Sequence, residues 1–204
     1  MIPLVRALLM GLVRLLIGAR GAYAACEPSL RQTIYFANHA SHFDTLAVLA
    51  AMPPAIRAQT HPVAARDYWG RTPLRRFVSQ ACLRSVLIDR TRSAQGDPLA
   101  PVHACLADGG SVLIFPEGTR ADENGIAPFK SGLFHLAQAF PAVDLVPVHL
   151  DNLARVMPKG SYLIVPITCT ARFGPALTVV PGEEKAAFLA RARAAVETLG
   201  ERAR

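Results

Sequence analysis

The chain lacks most of the patterns that mark metal-binding, redox, hydrolytic or nucleic-acid-binding proteins. Its four cysteines, Cys26, Cys82, Cys105 and Cys169, form no C-x-x-C pair and no zinc spacing. They read as small buried residues of a reduced intracellular protein rather than as ligands or disulfide partners. No G-x-S-x-G is present, which removes the strained nucleophile elbow of the α/β-hydrolases. Aromatic residues make up 7% of the chain and the arginines are dispersed, so the aromatic-basic signature of an RNA module is missing and nucleic acid is not an expected partner. Repeats, low-complexity tracts and linkers are absent, and 204 residues suit one domain with a substantial core. The net charge of +7 then points to another anionic partner, a membrane surface.

Two short polar islands stand out in a chain that is 51% hydrophobic. The first is Asn38-His39-Ala40-Ser41-His42-Phe43-Asp44. It follows the β-branched and aromatic run Thr33 to Ala37, which predicts a buried strand. Ser41 with Asp44 three residues on has the form of a capping box ahead of an apolar run, predicting a helix from about Ser41. His39 then sits in the turn, and Asp44 in the first helical turn can accept a hydrogen bond from one ring nitrogen. The other nitrogen is left free as a general base, with the tautomer fixed and the imidazolium stabilised. The island is equally compatible with a plain helix cap beside a surface histidine. His39-x-x-His42-x-Asp44 also has metal-ligand residue types, but His61, His103, His135 and His149 are scattered singly, with no second cluster.

The second island is Phe115-Pro116-Glu117-Gly118-Thr119-Arg120. Gly109-Gly110 predicts a turn, residues 111–115 a short buried strand, and Pro116 the end of its pairing. Gly118 allows close backbone approach to a ligand, with its N–H facing a developing oxyanion. Arg120 supplies a planar fork suited to phosphate. In isolation the motif reads better as a solvated turn with an ordinary surface Glu and Arg.

Together the islands resemble the glycerophospholipid acyltransferase family, typified by 1-acyl-glycerol-3-phosphate acyltransferases. The family's N-H-x-S-x-x-D is matched by Asn38, His39, Ser41 and Asp44, and its F-P-E-G-T-R by all six residues from Phe115 to Arg120. The hydrophobic stretch ending in I-D-R is matched by Val86-Leu87-Ile88-Asp89-Arg90, and a weaker fourth motif by Leu145-Val146-Pro147-Val148-His149. Phe129-Lys130-Ser131-Gly132 resembles the F-K-x-G that often follows the third motif. Two departures touch the acceptor site. Leu83-Arg84-Ser85 stands where many relatives have a glycine, and Ala64-Ala65-Arg66-Asp67 where many have a lysine.

The resemblance implies direct transfer of a fatty acyl group from a thioester donor, acyl-CoA or acyl-carrier protein, to a lysophospholipid hydroxyl. Lysophosphatidic acid is the favoured acceptor and no bound cofactor is involved. His39 is the base, oriented by Asp44; Gly118 holds the oxyanion; Glu117 helps place the acceptor. Arg90, Thr119 and Arg120 bind it, with Lys130 as an additional cation near its phosphate. An acceptor of another class, such as an amino-acid-derived lysolipid, and a non-catalytic lipid-binding accessory role remain the alternatives.

Residues 1–20 are read as a membrane-associating helix, with a core helix packed on the domain as the alternative, and 21–204 as the acyltransferase domain. Arg6, Arg14 and Arg20 fall within an arc of roughly 120° on a helix, which predicts an apolar helix with a cationic stripe lying in an interface. Residues 1–18 are short of the roughly 20 needed to span, although Ala22-Tyr23-Ala24 also offers the small residues of a signal cleavage site. Localisation is expected at the cytoplasmic face of the cell membrane, peripheral or monotopic. The fold expected is α/β: one mixed, mainly parallel sheet with helices on both faces. Strands are predicted at 33–37, 62–65, 84–89, 111–115, 144–150, 162–165 and 167–173. Helices are predicted at 42–52, over a Pro73-interrupted stretch at 66–82, from Asp97 to 107, at 131–140 and at 183–204.

Overall fold

A computed structural model describes residues 2–24, 26–41, 43–89, 96–119, 125–152 and 168–201. The predicted strand at 162–165, the first residue of the one at 167–173, and Arg90 and Arg120 lie outside the described residues, as does His42. Among those described, seven strands form one sheet in the order β1-β7-β6-β2-β5-β3-β4. They are β1 (Arg20–Tyr23), β2 (Thr33–Ala37), β3 (Thr60–Ala65), β4 (Val86–Ile88), β5 (Ser111–Ile114), β6 (Asp144–Leu150) and β7 (Thr170–Phe173). Pairing is parallel throughout except between β6 and β7. The expected mixed, mainly parallel sheet is therefore present.

β2 lies at the centre, and all five of its residues are buried. A strand covered on both faces needs no polar alternation, which is why its sequence is a continuous apolar run. Its side chains still divide by face. Tyr35 and Ala37 join Leu113, Val148 and Leu150 against α1 (Ile2–Ile17) and α2 (Asp44–Ala51). Ile34 and Phe36 join Val112, Ile114 and Leu145 against α6 (Ala100–Ala107), α7 (Gly132–Ala139) and α8 (Lys185–Glu201). Helices therefore cover both faces, with α1, α2 and the stretch around Val78 and Leu83 on one and α6, α7 and α8 on the other.

Several features depart from expectation. β1 lies outside the predicted strands; its RGAY carries no strand pattern and is held by pairing with β7. A side chain at Gly21 would lie 2.7 Å from Ala51 O, so α2 packs directly on the strand's backbone. The short α3 (Pro54–Gln59) starts at a proline in its first turn, where a missing N–H costs nothing. The stretch after Pro73 is α5 (Pro73–Arg76) followed by a π-helical turn at Phe77–Cys82, with α4 (Arg66–Trp69) before it. Arg84 adopts φ +56°, a left-handed conformation that favours glycine. Its side chain donates to Ala58 O at 2.6 Å and its carbonyl accepts from His61 Nδ1 at 2.9 Å. Those two bonds hold the strained residue in place.

Two arginines of the expected cationic stripe on α1 bond to backbone carbonyls of the domain, although Arg14 remains exposed. Arg14 donates to Ala50 O at 2.6 Å and to Met52 O at 3.3 Å, and Arg6 donates to Arg57 O at 2.8 Å. These carbonyls lie at the C-terminal ends of α2 and α3, which attract cations and donors. Arg20 belongs to β1 and is exposed. Also turned to solvent on α1 are Leu4, Val5, Leu8, Leu12, Leu15 and Leu16, with Leu15 82% exposed. Met10, Val13 and Ile17 pack inward.

Replacing Arg14 with methionine keeps the apolar stem and removes both carbonyl bonds. The expected loss is about 2–3 kcal/mol, as for charge-assisted hydrogen bonds to partly buried groups, read as a lowered urea midpoint with unchanged slope.

Candidate active site

The site lies at the carboxyl end of the parallel strands, where ligands bind in open α/β sheets. β2 ends at Ala37 and the chain turns through Asn38 to Ser41 into α2. Asn38 continues the ladder by side chain: its Oδ1 accepts from Leu150 N at 2.7 Å and its Nδ2 donates to Leu150 O at 3.3 Å. That clamp on the end of β6 fixes where the turn begins.

Asp44 is the first residue of α2 and is fully buried. Its carboxylate accepts from His39 Nδ1 at 2.7 Å, Ala40 N at 2.6 Å and Ser41 N at 2.9 Å. Three N–H donors and a helix N-terminus converge on one buried anion, which satisfies it as burial requires. Half of the predicted capping box is therefore formed, from Asp44 back to Ser41 N. The other half is not: Ser41 Oγ accepts from Phe43 N at 3.3 Å, and the helix starts at Asp44. With Nδ1 directed to Asp44, His39 Nε2 has no hydrogen bond among the described residues, and the side chain is 23% exposed. The imidazole stacks on Phe115, ring centroids 4.5 Å apart and 26° between planes. The pairing predicted from the first island is present.

Glu117 does not reach out toward a ligand. It is 3% exposed, and it accepts from His39 N at 2.7 Å and from Ala127 N at 2.8 Å. Burial raises its pKa above the ordinary carboxylate value, while the two N–H donors act the other way. The expectation that Glu117 helps place the acceptor gives way to a positioning arrangement. It ties the loop after β5 to the backbone of His39 and to the segment preceding α7.

Gly118 has φ +73°, and a Cβ there would lie 2.5 Å from Lys130 Nζ. The positive φ favours glycine, whereas the Lys130 side chain could swing aside. Its N–H donates to Phe115 O at 3.0 Å, so acting as an oxyanion donor requires that bond to be shared or released on substrate binding. Lys130 N donates to Pro116 O at 2.8 Å, which lays the Lys130 side chain over Gly118. Lys130 and Thr119 are both exposed at the rim. The structure thus unites His39, Asp44, Glu117, Gly118 and Lys130; Arg90 and Arg120 fall outside the described residues. Sequence reasoning gives no role to Asn38 or Phe115. Both are marked by their motifs, Asn38 in N-H-x-S-x-x-D and Phe115 in F-P-E-G-T-R, but neither motif shows what the side chain touches. Among the described residues no group of three His, Cys, Asp or Glu could hold a metal.

A buried aspartate thus orients a partly exposed histidine at the mouth of the sheet of an α/β protein. The Acyltransferase family model matches residues 27–170, and the chain belongs to that family. It is 28% identical over 167 residues to a 1-acyl-sn-glycerol-3-phosphate acyltransferase of Limnanthes alba, covering 81% of this chain and 57% of the relative. It is 31% identical over 127 residues to the enzyme of that name from Salmonella typhimurium, covering 58% and 46%. The chain thus spans little more than half the length of the plant relative. The crystal structure of the 1-acyl-sn-glycerophosphate acyltransferase from Thermotoga maritima superposes with a TM-score of 0.74 at 18% identity, over 98% of this chain and 82% of that one.

Substituting Gln for Glu117 places an amide NH₂ against one of two backbone donors. The expected cost is about 1–3 kcal/mol. The pH dependence carries a sign as well. Because burial raises the Glu117 pKa, its contribution to stability is complete below the unfolded-state value and declines as pH rises through the raised folded value. Denaturant midpoints across the carboxylate range should show that decline in wild type, and the Gln variant should lack it.

Proposed function

We propose that the protein transfers a fatty acyl group from an acyl-CoA or acyl-carrier-protein thioester to the hydroxyl of a lysophospholipid, with lysophosphatidic acid giving phosphatidic acid as the favoured reaction. The observation that carries this reading is the 2.7 Å bond from His39 Nδ1 to Asp44, with Nε2 left free at the sheet mouth. In the proposed mechanism Nε2 takes the acceptor's hydroxyl proton while the oxygen attacks the thioester carbonyl. Asp44 stabilises the imidazolium that forms. The tetrahedral intermediate collapses with cleavage of the C–S bond, and the thiolate leaves with the proton returned from His39. No covalent acyl-enzyme and no bound cofactor are required.

Glu117 positions the His39 backbone in this scheme, and Gly118 contributes the oxyanion donor once its turn bond is shared. Lys130, exposed with no ion-pair partner among the described residues, supplies positive charge for the acceptor's phosphate. Arg90, Thr119 and Arg120 are assigned to the same phosphate on sequence grounds. A different lysolipid acceptor is the second reading, drawn from Arg66, which stands in place of a lysine and is paired with Asp89 at 3.2 Å. We further propose that residues 1–20 associate with an anionic membrane surface on its cytoplasmic side, with 21–204 forming the transferase domain. The apolar outer face of α1 supports this reading; among the described residues no helix is long and apolar enough to cross a membrane.

The test is a mass-spectrometric acyl-transfer assay in detergent, with both donor types and a panel of lysolipids. Wild type should form phosphatidic acid, and His39→Ala should lose about 100- to 10,000-fold in rate, the span of a positioned base. Equal product from the variant would reject the mechanism. Product from another lysolipid alone would keep the mechanism and change the acceptor.

A further inference from the structure

Exposed large apolar side chains are not scattered over this molecule. Ten are exposed among the described residues: six on α1, Leu74 and Phe77 on the α5–π stretch, and Leu30 and Val180 elsewhere. The π-helical turn packs against α1, and its Val78 contacts the same core cluster that Met10, Val13 and Ile17 enter. Leu74 and Phe77 lie on the stretch that carries this contact. Leu74 is 72% and Phe77 48% exposed, in a chain that buries leucine and phenylalanine readily elsewhere. Clustered exposure of this kind marks an interaction surface.

The charges within residues 71–77 are all of one sign, carried by Arg71, Arg75 and Arg76. Arg75 lies over the Tyr68 ring at 4.4 Å, and Arg76 donates to Gly70 O at 3.1 Å. Arg71 and Arg76 also line a surface cavity of about 610 Å³ with Arg66, Asp67, Gln80 and Leu87, so three of its four charged lining residues are arginines. That cavity lies beside the carboxyl ends of β3 and β4. β3 is two strands from β2, or about 10 Å across the sheet from the strand that leads to His39. An apolar tip flanked by guanidinium groups matches the layering of an anionic leaflet, with acyl chains inside and phosphates at the rim.

We propose that the segment 71–77 is a second bilayer contact. Leu74 and Phe77 enter the acyl region of an anionic leaflet, while Arg71, Arg75 and Arg76 meet headgroup phosphates at the cavity mouth. A lipid acceptor then passes from leaflet to cavity along the arginines without crossing bulk water. The assignment rests on the reading of the substrate as a membrane lipid, and it adds a contact that α1 alone does not provide.

The test is co-sedimentation with vesicles of equimolar phosphatidylglycerol and phosphatidylcholine, alongside acyl transfer to detergent-dispersed lysolipid. The double variant Leu74→Asp/Phe77→Asp should bind these vesicles about tenfold or more weakly and keep its rate on dispersed substrate. Charge reversal at Arg75 should weaken binding about fivefold or more, as expected for one basic residue at an anionic surface, with little change on phosphatidylcholine alone. A gentler probe is Phe77→Trp in a Trp69→Phe background, since Trp69 is the sole tryptophan. Its emission should shift to the blue and be quenched by lipids brominated in the acyl chain. Unaltered vesicle binding by the double variant, together with unquenched emission from the introduced indole, would overturn the proposal. So would intact vesicle binding with loss of transfer from an acyl-carrier protein alone, which would give the surface to an acidic protein. Vesicle binding that depends on Leu74 and Phe77 in a protein lacking any transferase activity would uphold the contact and reject the catalytic reading.

Discussion

The site depends on one buried charge. The Asp44 carboxylate has no access to water, so its solvation must come from the protein, and it comes from His39 Nδ1, Ala40 N and Ser41 N. Supplying those donors forces the turn after β2 to wrap around the carboxylate, and that wrapping sets the His39 ring. The helix N-terminus under Asp44 adds favourable field at no conformational cost. An oriented histidine is thus a by-product of satisfying a buried anion. Removing Asp44 would leave the backbone donors of the turn without a partner as well as freeing the His39 ring.

Around this anion the structure is a set of braces. Asn38 fixes the turn to β6, Phe115 lies under the imidazole, and Glu117 holds the His39 N–H from the β5 side. On the far end of α2, Arg14 and Arg57 donate to carbonyls in its last turn and just beyond it. α2 is apolar on nearly all sides and is covered by the sheet and α1, so its ends alone need polar partners. Asp44 answers the need at one end and arginines at the other.

The strands that carry the site are legible in the sequence because burial on both faces leaves an unmistakable mark. The predicted bounds of β2 and β6 match, and β5 differs by one residue. β1 and α3 are not legible, since RGAY and PAIRAQ owe their structure to β7 and to a leading proline pair rather than to a pattern of their own. The orientation of α1 shows a deeper limit. Periodicity places Arg6 and Arg14 together but cannot say whether they look outward, and the carbonyls at the ends of α2 and α3 decide that. Glu117 illustrates the same point in the site: its residue type suggests a ligand contact, yet its partners are backbone N–H groups that no sequence displays. By contrast, the His39–Asp44 pair is readable because both ends of it are side chains five residues apart.

The most direct test of the account is the tautomer of His39, read from its imidazole ¹⁵N shifts in ¹⁵N-histidine-labelled protein at neutral pH. Orientation by Asp44 predicts that the neutral tautomer carries its proton on Nδ1, with Nε2 bare and able to take a proton. A ring protonated at Nε2 with bare Nδ1 would contradict it, because Asp44 would then have no donor on the ring and the nitrogen facing the substrate could not act as base.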